Sequence, residues 1–358
     1  MPVRRLLSLC LSLALAAGPA AGDTAVATLR AALAAMPRGA VAAPPGTPLQ
    51  VEFGEPARMG PVLDVHLAHG GTLDLPQVGV ALGRALPAEM RNYVEVLTGD
   101  GLAAATGLTP GDIGSILSVS APPERLVMAW IAPGAAGRMV AALEATGHAV
   151  DPRGPVTVLS RGADFAVDFA LRDPANPFGG SLGQSSRFAV AEGVMAWAPA
   201  TPLLAPVLAG QGPSLADHPG LQALLAGVDA AAVGAGGLVY ALALVDGPSP
   251  DLLVADLVTG DTETGLLALA APDTAAAEAM ATLIRRNWAG RASPAAGRPF
   301  ADLMPGEITV TAHPGTPAAV TLRRTLPRGA DDPLWRNAAA DGVLRLVMTR
   351  DLDALLAP

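Results

Sequence analysis

The sequence contains no lysine, since all 23 of its basic residues are arginine. Schiff-base chemistry, a Walker-type phosphate loop and a serine–lysine nucleophile pair each need the lysine ammonium group, so the sequence excludes all three. The single cysteine, Cys10, lies in an N-terminal segment that we expect to be removed. Thiol catalysis and iron–sulfur clusters need cysteine sulfur, and we therefore expect no cofactor.

Aromatic residues are also scarce, at 3% of a chain that is 51% hydrophobic. The core must therefore be built from leucine, valine and alanine, which is a globular composition. Acidic residues outnumber basic ones and give a formal net charge of −9. Nucleic acids and anionic membrane surfaces both favour clustered positive charge, so we expect neither as a partner. A small ligand or a protein of the cell envelope is the expected partner.

The N-terminus has the three-part pattern of a secretory signal peptide: Arg4 and Arg5, then an apolar run, then small residues up to Gly22. We expect cleavage close to Gly22 and a periplasmic or secreted protein. Leu9 rather than a small residue precedes Cys10, which argues against lipid attachment there. No later apolar run reaches the roughly 18 residues of a membrane span, so we expect no transmembrane segment in the mature chain.

Hydrophobic periodicity in the mature chain predicts an α+β fold of two related modules, each an antiparallel-rich sheet packed with helices. After a signal peptide at residues 1–22, residues 23–48 are predicted to form an N-terminal helix and linker. The first module is assigned to residues 49–230 and the second to residues 231–358. The remaining length of about 336 residues is enough for two domains.

An internal duplication is suggested by two similar stretches, in each of which an apolar strand ends in Ala-Pro and a helix follows. Aligning residues 127–147 with residues 266–286 matches Ala129 with Ala268 and Pro133 with Pro272. The helices at residues 134–146 and 273–288 would then hold equivalent places in the two modules.

Four local patterns make sharper predictions. Thr109, followed by proline and then by an aspartate three residues on, is typical of a helix N-terminus. Residues 164–171 alternate Phe, Val, Phe and Leu with polar or small residues, as in a half-buried strand. Residues 187–198 predict a hairpin that turns at Gly193. Residues 343–348 are predicted to form a last strand.

The long polar loop at residues 172–186 is the candidate binding site. An arginine there can offer a planar fork to a carboxylate or phosphate, and neutral side chains can add hydrogen bonds. The alternative, which we favour, is a compact surface loop pinned by Phe178. The candidate binding residues are Arg172, Asp173, Phe178, Gln184, Ser185 and Arg187.

Metal and catalytic motifs are weak. His66 and His69, with Asp64 nearby, are the candidate metal ligands, but two glycines follow and disfavour the helix that would bring both rings to one face. Loop or surface histidines are the favoured interpretation. A Ser/His/Asp hydrolase has the residue types it needs but no Gly-x-Ser-x-Gly elbow, since the serines and glycines at residues 180–186 have the wrong spacing. Residues 234–237 likewise lack the length of a dinucleotide fingerprint.

The segment RDPANPFGG, the turn after Thr109 and the Ala-Pro strand-to-helix units together resemble a group of uncharacterised exported proteins of GC-rich alphaproteobacteria. The resemblance implies a periplasmic or secreted location and brings no activity with it. The leading hypothesis is an exported, non-catalytic binding protein of the cell envelope. The alternatives are a periplasmic hydrolase with a Ser/His/Asp arrangement and a carrier of apolar ligands.

Overall fold

The computed structural model describes residues 24–60, 62–64, 75–91, 100–210, 212–259, 261–328, 332–334 and 336–358. These residues form one antiparallel sheet of twelve strands. Its strands are β1 (Leu49–Gly54), β2 (Ile113–Ala121), β3 (Glu124–Ile131), β4 (Ala149–Arg153), β5 (Val156–Arg161), β6 (Ser186–Ala191), β7 (Val194–Ala198), β8 (Gly237–Val245), β9 (Leu252–Val258), β10 (Thr262–Ala271), β11 (Ile308–His313) and β12 (Ala318–Pro327). Across the sheet the order is β11-β12-β10-β9-β8-β1-β2-β3-β7-β6-β5-β4.

Helices cover both faces of this sheet. They are α1 (Ala27–Ala35), α2 (Leu75–Arg84), α3 (Ala88–Arg91), α4 (Gly101–Thr106), α5 (Ala135–Ala145), α6 (Thr201–Ala209), α7 (Pro219–Ala231), α8 (Thr274–Gly290), α9 (Phe300–Leu303), α10 (Ala338–Met348) and α11 (Asp351–Leu356). On one face, α1, α6 and α7 share a single core that spans both halves of the sheet. On the other face, α4 and α5 cover the first half, while α8, α10 and α11 cover the second. None of the described helices has the length and apolar character needed to cross a membrane.

The α+β class and the antiparallel pairing are confirmed, but the expectation of a separate sheet for each module is wrong. The short strand β1 pairs with β2 on one side and with β8 on the other, so the sheet is continuous across the predicted boundary. Val51 and Phe53 face the shared core opposite Ala243 and Ala241. Because β1 is paired along both of its edges, it leaves no free edge at which either half of the sheet could end.

The two halves of the sheet have the same strand order, counted outward from the centre. In the first half it is β1-β2-β3-β7-β6, and in the second it is β8-β9-β10-β12-β11. In each half the third strand leads directly into a helix, α5 or α8, that packs on the face opposite the shared core. The hairpin of β4 and β5 extends the first half only.

Both outer strands carry features that discourage further pairing. At one edge, β4 contains Pro152, which has no N–H to donate, and Asp151 pairs with Arg153 at 2.7 Å. At the other edge, Arg285 from α8 donates to the backbone oxygen of Val310 in β11 at 2.6 Å. Proline, charge and covered backbone groups are common ways of protecting a sheet edge.

The prediction of a helix that starts at Thr109 is wrong, although the capping interactions that suggested the helix do form. Asp112 Oδ2 accepts hydrogen bonds from Thr109 N and Oγ1, both at 2.7 Å. They close only a 3-10 turn over Pro110–Asp112, after which the chain enters β2. Strand pairing with both β1 and β3 outweighs the local signal, as tertiary context often does.

Residues 164–171 do not form the predicted strand. Phe165 has a positive φ of 58°, and a 3-10 turn covers Phe169–Leu171. Asp168 accepts a hydrogen bond from Ala170 N at 2.9 Å, which is the local side-chain bonding that competes with strand formation. The predicted inward face is exposed instead.

The predicted last strand at residues 343–348 is part of α10. Asn337 caps this helix by accepting from the backbone N–H groups of Ala339 and Ala340. Val343 and Leu346, three residues apart, form its buried stripe. Short apolar runs fit helix and strand equally well, and the cap decides the case. By contrast, the hairpin of β6 and β7 is confirmed.

Candidate functional site

The predicted binding loop is a packed structure with Phe178 at its centre. Phe178 is 2% exposed, and its ring meets Phe188 edge-on at 5.6 Å between centroids and lies 6.2 Å from Trp197. The prediction that Phe178 turns inward is confirmed. Ser185 is also buried, and its hydroxyl donates to the backbone oxygen of Pro199 at 2.7 Å.

Of the two arginines expected to be available at the edge of the loop, Arg172 or Arg187, Arg187 is buried and only Arg172 is exposed. Arg187 Nε donates to Thr201 Oγ1 at 3.1 Å, and Nη1 donates to two backbone oxygens. Its Nη2 donates to the backbone oxygen of Gly162 at 2.7 Å and pairs with Asp164 Oδ1 at 2.9 Å. These contacts engage all five N–H groups of the guanidinium. Arg187 therefore ties residues 161–164 to β6 and to the start of α6.

The other candidate residues of the loop also bond within it. Arg172 is exposed, and its Nε donates to the backbone oxygen of Ser181 at 2.7 Å. Asp173 accepts from Ala175 N at 3.1 Å, and the backbone N–H of Gln184 donates to Gly179. The structure brings the six predicted residues into one segment, but their polar groups mainly support the loop. These contacts favour the compact-loop alternative.

A group of apolar side chains lies exposed beside this loop, and we call it the loop patch. Phe165, Val167, Phe169 and Leu182 are 47%, 52%, 68% and 51% exposed. They account for four of the six large hydrophobic side chains exposed within the described residues. Scattered exposed apolar residues are ordinary, whereas these four lie within 18 residues of chain.

A cleft of about 250 Å³ lies on the opposite face to the shared core, and we call it the α2/α10 cleft. It is bounded by the ends of α2 and α3, by β8 and β9, and by the first turns of α10. Its lining includes arginines, acidic residues, an aromatic ring and aliphatic side chains: Gly83, Arg84, Arg91, Tyr240, Val254, Asp256, Arg336, Asn337, Ala340, Asp341 and Leu344.

The wall of the cleft is a buried ion-pair cluster. Arg84 Nε and Nη2 donate to the two oxygens of Asp256, each at 2.7 Å, and Nη1 donates to Glu263 at 2.8 Å. Arg328 also pairs with Glu263. Asn337 donates to Asp256 Oδ1 at 2.6 Å, which joins the cap of α10 to the same cluster. The cluster fixes α2 and α10 on the sheet.

A further buried carboxylate, Glu52 of β1, supports the other side of the cleft. Tyr240 Oη and the backbone N–H of Ala88 both donate to Glu52 Oε2 at 2.7 Å, and Gln50 donates to Oε1. Arg91 lies over the Tyr240 ring at 4.3 Å from its centroid, a cation–π arrangement. Tyr240 is thereby held rigidly in the lining of the cleft.

The charges around the cleft do not cancel. Among the residues that line it, three arginines (Arg84, Arg91 and Arg336) stand against two carboxylates (Asp256 and Asp341). Behind the lining, Arg328 is accompanied by two further buried carboxylates, Glu52 and Glu263. The excess positive charge is therefore confined to the lining. Burial raises the pKa of Glu263 and of Asp341, an effect that their arginine neighbours only partly offset. Burial therefore disfavours the negatively charged form of both acids.

The histidines of the described residues are engaged in structural contacts. His148 Nε2 lies 2.5 Å from Ser186 Oγ, but both side chains are buried, and His148 Nδ1 bonds to the backbone oxygen of Leu143 at 2.9 Å rather than to a carboxylate. His218 contacts Asp246, and His313 contacts Thr321. His66 and His69 lie outside the described residues. Within those residues, no group of three His, Cys, Asp or Glu side chains is placed to hold a metal.

Sequence reasoning missed the residues of the cleft. Arg84, Asp256 and Asn337 are far apart in the sequence, and only the fold brings them together. One signal was available: Asp256 lies in the apolar run LLVADLV, and Glu52 lies between Val51 and Phe53. A charged residue inside a strand buried on both faces must find a buried partner.

No protein-family model matches the chain. The search of curated proteins also finds no match. Among solved structures, this chain is similar to two crystal forms of TP0453. Form I has 9% sequence identity and a TM-score of 0.34 over 90% of this chain and 98% of that one. Form IV has 8% identity and a TM-score of 0.35 over 86% and 95%.

Proposed function

We propose that this protein is an exported, non-catalytic binding protein whose α2/α10 cleft takes a small ligand bearing a carboxylate or a similar anion. The observation that carries the proposal is the excess of arginine over carboxylate among the residues that line a cleft of about 250 Å³, one of which, Arg336, is half exposed. These lining residues match an anion better than a cation. Val254 and Leu344 give the ligand an apolar surface, and Tyr240 adds a rigid ring. Pockets of this composition commonly fix a ligand through a few polar groups.

Arg336 is the residue we expect to contact the anion directly. Its guanidinium is half exposed and pairs with Asp341 at 3.1 Å. A partly solvated pair of this kind contributes little to stability and can rearrange when a ligand arrives. Arg84, by contrast, is held in the buried cluster and acts as a fixed wall.

The test is calorimetric titration with a panel of small mono- and dicarboxylates, each paired with its neutral amide. We expect Arg336→Ala to weaken the best carboxylate about tenfold or more, since a charge-assisted hydrogen bond contributes about 1.5–3 kcal/mol. Arg153→Ala, which removes a similarly exposed arginine paired with Asp151 at the edge strand β4, is the matched control and should leave this binding unchanged. Equal binding of the amides, or an effect of both variants, would refute the proposal.

A second candidate function is docking of an envelope protein on the loop patch. Its support is the exposure of four apolar side chains beside a loop whose polar groups bond internally. A photo-cross-linking residue at Phe169 should then yield one specific adduct in the native host. The same residue at Val233, which is 77% exposed and outside the patch, should yield none. Identical adducts at both positions would refute a specific surface.

Export is part of the proposal and rests on the pattern up to Gly22, which lies outside the described residues. Mass spectrometry of protein recovered from the native envelope should find a mature N-terminus close to that position. A mature protein that still begins at Met1 would contradict it.

We also propose that the two halves arose by duplication. The support is the repeated strand order, β1-β2-β3-β7-β6 and β8-β9-β10-β12-β11, with a helix after the third strand in both. The alignment from sequence needs a shift within the strand: Ala129 lies on the face opposite the shared core, whereas Ala268 lies in that core, so Ala129 corresponds to Leu269. Superposing the halves with this shift tests the proposal, and a failure of their helices to overlap would end it.

A further inference from the structure

A second cleft of about 250 Å³ lies on the N-terminal loop, away from the site proposed above. It lies between the loop before β1 and the turn after β8. Its lining combines one basic side chain, one acidic side chain and a stretch rich in proline: Arg38, Gly39, Val41, Ala43, Pro44, Pro45, Gly46, Thr47, Leu49, Leu215 and Asp246. We call it the Asp246 cleft.

Asp246 adopts the left-handed backbone conformation, with a φ of 58°, which aspartate takes up more readily than most residues other than glycine. Asp251 Oδ1 accepts from the backbone N–H of Asp246 at 2.9 Å. This turn and its hydrogen bond place the carboxylate of Asp246 at the cleft.

His218 fixes the orientation of this carboxylate. The imidazole is buried, and its Nδ1 accepts from the backbone N–H of Leu221 at 3.2 Å. A neutral ring that accepts at Nδ1 carries its proton on Nε2, and Nε2 lies 3.0 Å from Asp246 Oδ1. His218 therefore donates to Oδ1. Within the described residues, Oδ2 accepts no hydrogen bond and remains for a ligand.

The proline-rich wall facing this carboxylate has few free donors. Pro44 and Pro45 have no N–H, and the N–H of Thr47 donates to the carbonyl oxygen of Pro44 at 3.0 Å. The loop is also anchored, since Ala42 N donates to Glu124 at 2.8 Å and Arg38 N donates to the backbone oxygen of Pro213 at 2.9 Å. A preformed wall with few donors leaves the carboxylate of Asp246 available to an ammonium group.

Arg38 adds the opposite charge to the same cleft. Its side chain is exposed and forms no hydrogen bond or close ion pair with the described residues, although Asp217 is an electrostatic neighbour. A simple amine would contact only Asp246, and a simple acid only Arg38. We propose that the Asp246 cleft binds a small zwitterion, with its ammonium group at Asp246 and its carboxylate at Arg38. The ligand class is therefore a free amino acid or a related ω-amino acid.

The experiment is an NMR titration of the full mature chain with ω-amino acids from glycine to 6-aminohexanoate, with butylamine and butyrate as singly charged probes. At least one zwitterion should bind ten times more tightly than either singly charged probe, and the optimal chain length reports the spacing of the two charges. The His218 ring signals should shift on binding, because this ring touches the recognising carboxylate.

Two variants separate recognition from folding. Asp246→Asn removes the charge and keeps the fold, because asparagine tolerates positive φ. Followed at the His218 ring signals, both Asp246→Asn and Arg38→Gln should weaken the zwitterion about tenfold, whereas Arg153→Gln at the edge strand β4 should not. Equal affinity of butylamine or butyrate at those signals, or unchanged binding by Asp246→Asn with a native spectrum, would overturn this assignment. The proposal on the α2/α10 cleft would remain, since it depends on different residues.

Discussion

Replacing Phe178 by alanine tests whether the loop at residues 172–186 is a structural unit. Phe178 is fully enclosed against Phe188 and Trp197. Burial of this kind makes a Phe→Ala change cost about 3–5 kcal/mol through lost transfer energy and the cavity that remains. The two ring contacts belong to the class that adds about 0.5–1.5 kcal/mol each beyond buried area.

The position of the neighbouring glycines places the cost in the upper part of this range. A Cβ on Gly180 would lie 2.3 Å from the backbone oxygen of Asp173, so the backbone is already in contact there. Because the loop cannot move inward to fill the space, most of the cavity should persist. We expect a loss of about 4–5 kcal/mol in the free energy of unfolding.

Urea unfolding followed by tryptophan fluorescence measures this loss, and Trp197 reports directly on the cavity because its ring lies 6.2 Å from Phe178. Phe169→Ala, in the same segment but 68% exposed, is the matched control and should change stability by no more than about 0.5 kcal/mol. A loss below about 1 kcal/mol for Phe178→Ala, or equal losses for both variants, would refute the packing argument.

Three further outcomes follow from the contacts described. Burial is the main cause that lowers the pKa of His148 to about 4, so the unfolded chain takes up this proton first as the pH falls. Stability should then decline from about pH 6.5 towards pH 4, and His148→Gln should remove that part of the slope in unfolding curves measured at each pH. Arg187→Lys should destabilise the fold in urea by about 1–3 kcal/mol, because lysine cannot supply a five-donor fork, and Arg172→Ala should stay within about 0.5 kcal/mol. Asp256→Ala should cost about 3–5 kcal/mol by leaving Arg84 without its main partner, and a calorimetric loss below about 1 kcal/mol would contradict the cluster's role.

The parts of the fold that could be predicted from sequence are those with strong local chemistry. The hairpin of β6 and β7 turns at Gly193, which has a φ of 80°. The strands β3 and β10 end at the Ala-Pro units, and α5 and α8 begin just after them, as the sequence indicated. Such features depend on backbone conformations and periodicities that a short window contains.

The failures occurred where distant pairing overrides local signals. Thr109 and Asp112 form their cap, yet β1 and β3 draw the following residues into the sheet. Phe165 and Phe169 alternate as a strand should, yet no neighbouring strand pairs with them over that stretch. The α2/α10 cleft was beyond reach for the same reason, since its charged residues meet only after the whole sheet has assembled.

The central place of β1 has a consequence for the order in which the chain can fold. Its partner β8 lies roughly 190 residues further along, so the entropy of closing a very long loop opposes their pairing. Hairpins such as β2 with β3 and β8 with β9 involve only local contacts and should form first. A chain that folds from its N-terminus onwards must keep β1 with one free side until β8 has been delivered. The joining of the two halves is therefore expected to be the slow, late step of folding. A chain truncated before residue 237 should expose the apolar strand β1 as an unpaired edge of the remaining sheet.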